Sequence, residues 1–245
     1  MIQQPKILII NPNTSLPISQ LIGQLAVDDL SGSATVHIVT ARFGASYIGS
    51  RASVAIAGHA VLDAYAEAGQ SGEDYAAVVI ACFGDPGIEA LRDICPAPVI
   101  GFAEASMLFA SQSPGRFAIA TIGAAWSDML SELAQRLQLA DRLAGFIPLA
   151  ESSRQTGVPG ATLIAAATAL GAQRIIIGGT GLIPAIPGIV GDTAFPVIDA
   201  HRTALQMALV QATSGQAHQA LAQVPGPDYV GLAPALTGLL VGRHG

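Results

Sequence analysis

Charge is what this chain has least of. Only 11% of its 245 residues are Asp, Glu, Lys or Arg, and the balance is a net charge of −6. With 11 basic residues and no basic cluster, it lacks the electrostatic footprint of a nucleic-acid partner. Cysteine is nearly absent as well. Cys82 and Cys95 are the two present, without the C-x-x-C spacing of a zinc or redox site. The start of the chain, Met1-Ile2-Gln3-Gln4-Pro5-Lys6, leads directly into a strand-like run with no cleavage-site pattern. Free thiols in a cytoplasmic protein are therefore expected, rather than a disulfide. The five histidines are scattered without ligand spacing, so no metal is expected.

Long unbroken apolar runs are also missing, although 51% of the residues are hydrophobic. The most apolar stretch, residues 175–190, is interrupted by Gly178, Gly179, Gly181, Pro184, Pro187 and Gly188. A spanning helix needs about 20 mostly apolar residues and tolerates such breaks poorly, so no membrane partner is expected. The apolarity reads instead as core, because parallel strands buried on both faces become continuous Val/Ile runs. The low charge also implies apolar surface, which on a soluble protein points to a homo-oligomer.

What the sequence does contain is alternation. Strand-like runs fall at 7–10, 36–40, 77–81, 99–101, 117–121, 146–149, 175–177 and 197–198. Helical patterns cover 15–27, 104–110, 127–137, 161–170 and 200–212. Another is capped by Ser50 and has Val54, Ala57, Val61, Leu62 and Tyr65 on its apolar face. The fold class is α/β with parallel sheets. Similar strand–loop units recur in the two halves, which predicts two pseudo-symmetric lobes of four strands each. The expected division is 1–96 plus 215–245 for the first lobe and 97–214 for the second. The Gly/Pro-rich end would return onto the first lobe, and the absence of a charged linker implies tight docking.

Ligands of open parallel sheets bind beyond the carboxyl ends of the strands. Those ends read Asn11-Pro12-Asn13-Thr14-Ser15, Cys82-Phe83-Gly84-Asp85, Thr121-Ile122-Gly123 and Gly178-Gly179-Thr180-Gly181. Small, polar and glycine-rich loops of this kind expose backbone N–H groups to a carboxylate or an oxyanion. Any one of Asn13, Thr14 and Ser15 reads as a helix cap, yet two asparagines around a proline exceed what a cap needs. Cys82 reads either as a small buried hydrophobe or as a thiol acid/base, its pKa lowered toward neutrality by a helix N-terminus. Cys95, in "DICPAPV", reads as structural. His201, after "PVIDA", is usually structural at such a place but lies near a strand end. Glu104 reads as a carboxylate aligned with a helix dipole, or one facing the cleft.

Several motifs taken together carry a resemblance. "INPNTS", "ACFGDPG", "PVIGFAEASM", "FAIATIGAAW", "IIIGGTGL" and "FPVIDAH" occur in order between residues 7 and 209. The set resembles the aspartate/glutamate/hydantoin racemase superfamily, within it the hydantoin and allantoin racemase branch. The resemblance implies two α/β lobes around the site, no metal, no pyridoxal phosphate and no nucleotide, hence no cofactor. It implies a small-molecule substrate bearing a carbonyl or carboxylate, and two cysteines, one from each lobe, on opposite faces of the carbon beside it. Cys82 matches the first. The family's usual "GCAG" stands here as Gly178-Gly179-Thr180-Gly181, so Gly179 occupies the place of the second thiol. Arg51-Ala52-Ser53 stands where the family tends to carry an acidic residue.

Substrate contacts are expected from Asn11, Asn13, Thr14 and Ser46 in the first loops, and from Phe83, Gly84 and Asp85 after Cys82. Thr121, Gly179, Thr180 and Gly181 are expected to supply the second-lobe contacts. With Gly179 unable to move a proton, Thr180, His201 or a water is left to serve the far face. Three functions follow from that: a racemase or epimerase using Cys82, a single-thiol decarboxylase or other lyase, or a binding protein that kept the cleft. Scarce Lys and Arg near the loops favour a neutral ring over a dicarboxylate.

Overall fold

In the computed structural model, residues 4–123, 125–153, 157–186, 194–214 and 228–241 are described. Two four-stranded parallel sheets organise them. The first joins β1 (Lys6–Asn11), β2 (Thr35–Thr40), β3 (Ala77–Ile80) and β4 (Val99–Gly101) in the order β2-β1-β3-β4. The second joins β5 (Phe117–Ile122), β6 (Leu143–Leu149), β7 (Arg174–Ile177) and β8 (Val197–Asp199) in the matching order β6-β5-β7-β8. The α/β class and the paired sheets agree with the sequence pattern.

The strands alternate, and the alternation assigns the cores. Ile7, Ile9 and Val79 face inward and share one cluster with Phe117, Ile119 and Ile176 of the second sheet. Leu8, Ile10, Val78 and Ile80 face the outside of the first sheet, and Ala118, Ala120, Ile175 and Ile177 the outside of the second. Both faces of both sheets are covered, which is why the strands read as unbroken apolar runs.

Eight α-helices supply the cover among the described residues: α1 (Leu16–Leu30), α2 (Arg51–Gly69), α3 (Ile88–Ile94), α4 (Phe102–Ser111), α5 (Ala125–Arg136), α6 (Gly160–Ala169), α7 (Ala200–Thr213) and α8 (Pro234–Val241). Ser50 caps α2 with a reciprocal Ser50–Ser53 capping box. α3 has no counterpart in the sequence reading: its seven residues bury Ile88, Leu91 and Ile94, too short a run for helical periodicity to stand out. None of the described helices is long and apolar enough to cross a membrane.

The last helix of each half crosses over. α4 leaves β4 and packs on α7, β7, β8 and α5. α7 leaves β8 and packs on β3, β4 and α1 of the first lobe. The expected division at residue 96 therefore needs correction. Val99–Gly101 pairs with Val78–Ile80 in the first sheet, and α7, assigned by sequence to the second lobe, covers the first. The Pro-containing turn at 95–98 precedes the last strand of the first sheet rather than a lobe boundary. α8 lies on α2, with Leu239 and Leu240 against the outer core of the first sheet. Residues 215–227 and 242–245, the rest of the expected return, fall outside the described residues.

Candidate active site

A cleft opens where the carboxyl ends of both sheets meet. Asn13 reaches it from beyond β1, Tyr47 and Ile48 from beyond β2, and Cys82 and Phe83 from beyond β3. The second lobe contributes Thr121 and Ile122 from β5, Trp126 from α5, and Gly178 to Leu182 from beyond β7. The space of the cleft, its open mouth included, is about 470 Å³. Among these lining residues Cys82 and Tyr47 alone carry an ionisable side chain, and none bears a formal charge at neutral pH.

The turn after β1 is built to aim one amide. The Asn11 side chain is fully buried and donates to Asn13 Oδ1 (3.1 Å), the Ser15 carbonyl (3.2 Å) and Ser19 Oγ (2.9 Å). Its own Oδ1 accepts from the Asn13 N–H. Asn13 Oδ1 is further engaged by the Ser15 N–H at 2.9 Å. With its oxygen taken twice, Asn13 turns its NH₂ group toward the cleft as a donor. Asn11 is thus a bracket for Asn13 rather than a substrate contact.

Cys82 sits in the tight turn that follows β3, its carbonyl accepting from the N–H groups of Gly84 (2.9 Å) and Asp85 (3.1 Å). The thiol is 8% exposed. Burial, and then the negative charge of Asp85, push its pKa well up. The expected lowering by a helix N-terminus is corrected here: α3 begins only at Ile88, so desolvation dominates. The resting group is a thiol, and its conjugate base is correspondingly strong.

The matching sheets locate its counterpart. β3 pairs Ile80 with Ile10 of β1, and β7 pairs Ile177 with Ala120 of β5. Cys82 lies two residues past Ile80, and Gly179 lies two residues past Ile177. By this internal correspondence, Gly179 holds the second-lobe place equivalent to Cys82. Its backbone is at φ 111° and ψ 123°, a conformation open in practice to glycine. A Cβ there would meet only Leu182 Cδ1, at 3.9 Å. There is room for a side chain, on a backbone that resists one. Thr180 opens a 3₁₀ turn (Thr180–Ala185), and no N–H of Gly179, Thr180 or Gly181 donates to a carbonyl elsewhere among the described residues.

The lobes interlock at the cleft. Phe83 lies against Gly178, where a Cβ would run into its ring, and Trp126 lies equally close over Gly84. Gly84 therefore serves packing against Trp126 and is not among the cleft-lining residues.

Other expected contacts lie elsewhere. The Thr14 N–H donates to the Ala45 carbonyl, and Ser46 is exposed beside the cleft-lining Tyr47. Asp85 is buried against α4, accepting from the N–H groups of Ala103 (3.0 Å) and Glu104 (2.7 Å). His201 is corrected outright as a proton donor. It is 2% exposed in the core, edge-on to Phe102, because α7 packs back onto the first lobe. Glu104 forms a two-bond ion pair with Arg92 (3.0 and 2.8 Å), and Arg51 does the same with Glu132 of the second lobe (2.9 and 2.6 Å). Cys95 is buried in the outer core of the first sheet. Tyr47, Ile48, Trp126 and Leu182 were not singled out by sequence, and Ile122 and Gly178 were read only as parts of strand-end loops. Trp126 carried the clearest signal, as the single tryptophan closing "FAIATIGAAW". Among the described residues, no group of three or more His, Cys, Asp or Glu is placed to hold a metal.

Residues 7–208 match the Asp/Glu/Hydantoin racemase family. The hydantoin racemase of Paenarthrobacter aurescens is 26% identical over 211 residues, covering 83% of this chain and 89% of that one. The hydantoin racemase of Pseudomonas sp. (strain NS671) is 33% identical over 128 residues, 52% of this chain, and that alignment spans about half (51%) of the relative's length. The solved allantoin racemase from Klebsiella pneumoniae superposes with a TM-score of 0.83 at 28% identity, covering 96% of this chain and 99% of that one.

Proposed function

The chain belongs to the Asp/Glu/hydantoin racemase family, and on that premise we propose that it is a cofactor-independent racemase of a neutral, hydantoin-like substrate, with Cys82 as its acid/base. The observation that carries the reading is the wall of the cleft. It holds one thiol, two threonine hydroxyls, the Tyr47 phenol, the Trp126 indole, an asparagine amide and otherwise apolar or glycine surface, with no formal charge. A dicarboxylate would enter it unpaired, at high desolvation cost. A cyclic amide needs only the donors present.

The chemistry follows from the geometry. The Cys82 thiolate takes the proton from the carbon beside the carbonyl, forming S–H as C–H breaks. The electron pair moves onto the carbonyl oxygen, where Asn13 NH₂ and the backbone N–H groups of the Gly179–Gly181 loop stabilise the enolate. A raised thiol pKa suits this step, because a strong base is needed against a weak carbon acid. Return of the proton from Cys82 restores the original hand. Delivery from solvent past Gly179, or through Thr180, gives the mirror form. Where the S–H proton is swapped with solvent before its return, the original hand is restored with a solvent proton, and exchange with solvent then outruns inversion.

The decisive measurement is proton NMR in deuterium oxide with 5-substituted hydantoins and allantoin, each against an enzyme-free control. Expected are loss of the α-proton signal above control, faster than loss of optical rotation, rising with pH as thiolate forms, and abolished by Cys82→Ser. Exchange that survives Cys82→Ser, or none with any member of the panel, overturns the reading. A second reading, a single-thiol decarboxylase, is favoured by the same solitary proton-transfer group, since decarboxylation needs one proton delivered to one face. Release of carbon dioxide from phenylmalonate with no exchange on hydantoins would select it.

A further inference from the structure

We propose that Asp85 is a positioning residue for Cys82, tying the thiol-bearing turn to the start of α4 and, once ionised, setting a negative charge against the thiolate. The inference rests on Cys82 being the working thiol of the cleft, and it goes further by naming what fixes that thiol's place and reactivity.

The geometry forms one continuous chain. Asp85 is a non-glycine residue at φ 49°, a left-handed conformation that surrounding contacts must enforce. Its carboxylate, 4% exposed, accepts from the Ala103 N–H through Oδ1 and from the Glu104 N–H through Oδ2. These are the second and third residues of α4, whose first-turn N–H groups lack helical partners. Gly101 passes so close that a Cβ there would run into the carboxylate. On its other side, the Asp85 N–H holds the Cys82 carbonyl. The thiol's anchorage therefore runs from the α4 amides through Asp85 to the Cys82 backbone.

The charge is a separate matter from the anchorage. An asparagine amide would remove the charge and keep one of the two bonds through its single oxygen, with its NH₂ group facing the other N–H. The ionisable groups acting on Asp85 are Glu104, Arg92 and Cys82. Arg92 is committed to Glu104 and to the Val99 carbonyl (2.9 Å), so it neutralises Asp85 only in part. Burial outweighs the two amide bonds, and the Asp85 carboxyl is raised to about 7. Once ionised, it opposes formation of the thiolate.

The test reads Cys82 directly and needs no substrate, so its failure is distinct from failure of the racemase assignment. Iodoacetamide alkylation at Cys82 is followed by peptide mass from pH 6 to 10 in the wild type, Asp85→Asn and Gly101→Ala. Asp85→Asn is expected to make alkylation at pH 8 about tenfold faster, the equivalent of about one unit in the thiol's ionisation. Gly101→Ala displaces the same carboxylate without removing its charge, and it is expected to give no such acceleration. An unchanged or slower Asp85→Asn rate, or equal acceleration in both variants, overturns the proposal. If Asp85→Asn does not fold, the wild type alone decides. Its log rate must rise with a slope below one across the Asp85 ionisation near pH 7, and a slope of one throughout overturns the proposal.

Discussion

At Gly179 the absent side chain and the backbone conformation both stand against a proton-transferring group. The space beside it would admit a thiol, but φ 111° is strained for any L-residue. Gly179→Cys is accordingly expected to cost about 1–3 kcal/mol in denaturant unfolding, the usual range for such strain. It is also expected to raise the ratio of inversion to α-proton exchange, because a second proton donor now faces Cys82. An unchanged ratio in a folded Gly179→Cys protein would show that the positions past β3 and β7 do not address opposite faces of one carbon. Thr180, one residue on, is no substitute by symmetry, since the correspondence of the sheets makes Gly179, not Thr180, the equivalent of Cys82.

Among the elements, α7 bears the clearest consequence. It carries His201 into the core, and the Nε2 atom finds no hydrogen-bond partner among the described residues. Burial lowers the pKa of His201, with Asp199 and Asp29 acting the other way and Arg202 reinforcing it. A histidine with a lowered folded pKa binds fewer protons folded than unfolded, so its contribution to stability is lost as pH falls below about 6.5. The unfolding midpoint of the wild type should therefore drop more steeply from pH 7 to pH 5 than that of His201→Phe, which keeps a ring against Phe102. Parallel slopes would contradict this, and the Asp85 contribution is common to both proteins and cancels. The same helix shows what sequence could and could not supply. All eight strands were legible because buried parallel strands are compositionally distinct, and α7 was legible as a helix. Its destination was not, because an apolar stripe does not say which sheet it will cover. Asn13, Cys82, Phe83, Thr121 and the Gly179–Gly181 loop were legible as cleft residues from their places after strands. Asp85 and His201 were misplaced because both follow strands while their side chains turn into the core. Tyr47 and Trp126 lie outside the strand-end loops on which the sequence reading relied.

For the whole molecule, the exchange of α4 and α7 between lobes merges two sheets into one cooperative body. The shared core joins Ile7, Ile9 and Val79 to Phe117, Ile119 and Ile176, with Leu205 and Ala208 of α7 in the same cluster. Thermal unfolding is expected as a single transition with equal calorimetric and van 't Hoff enthalpies. Two resolved transitions would mean that the lobes are separable after all. The Arg51–Glu132 pair across the lobes contributes little beside that core, because both side chains are more than half exposed.

The crossed helices also constrain how the protein is made. Synthesis delivers the first four strands by residue 101, but the helix that covers their inner face is not complete until Thr213. For more than a hundred residues of elongation, the nascent chain carries an apolar sheet face that α1 covers only in part. At about 5–20 residues per second, that is an interval of roughly 5 to 20 seconds on the ribosome. The first lobe is therefore finished last, and through that interval its open face is a surface that chaperones can hold and that neighbouring nascent chains can foul.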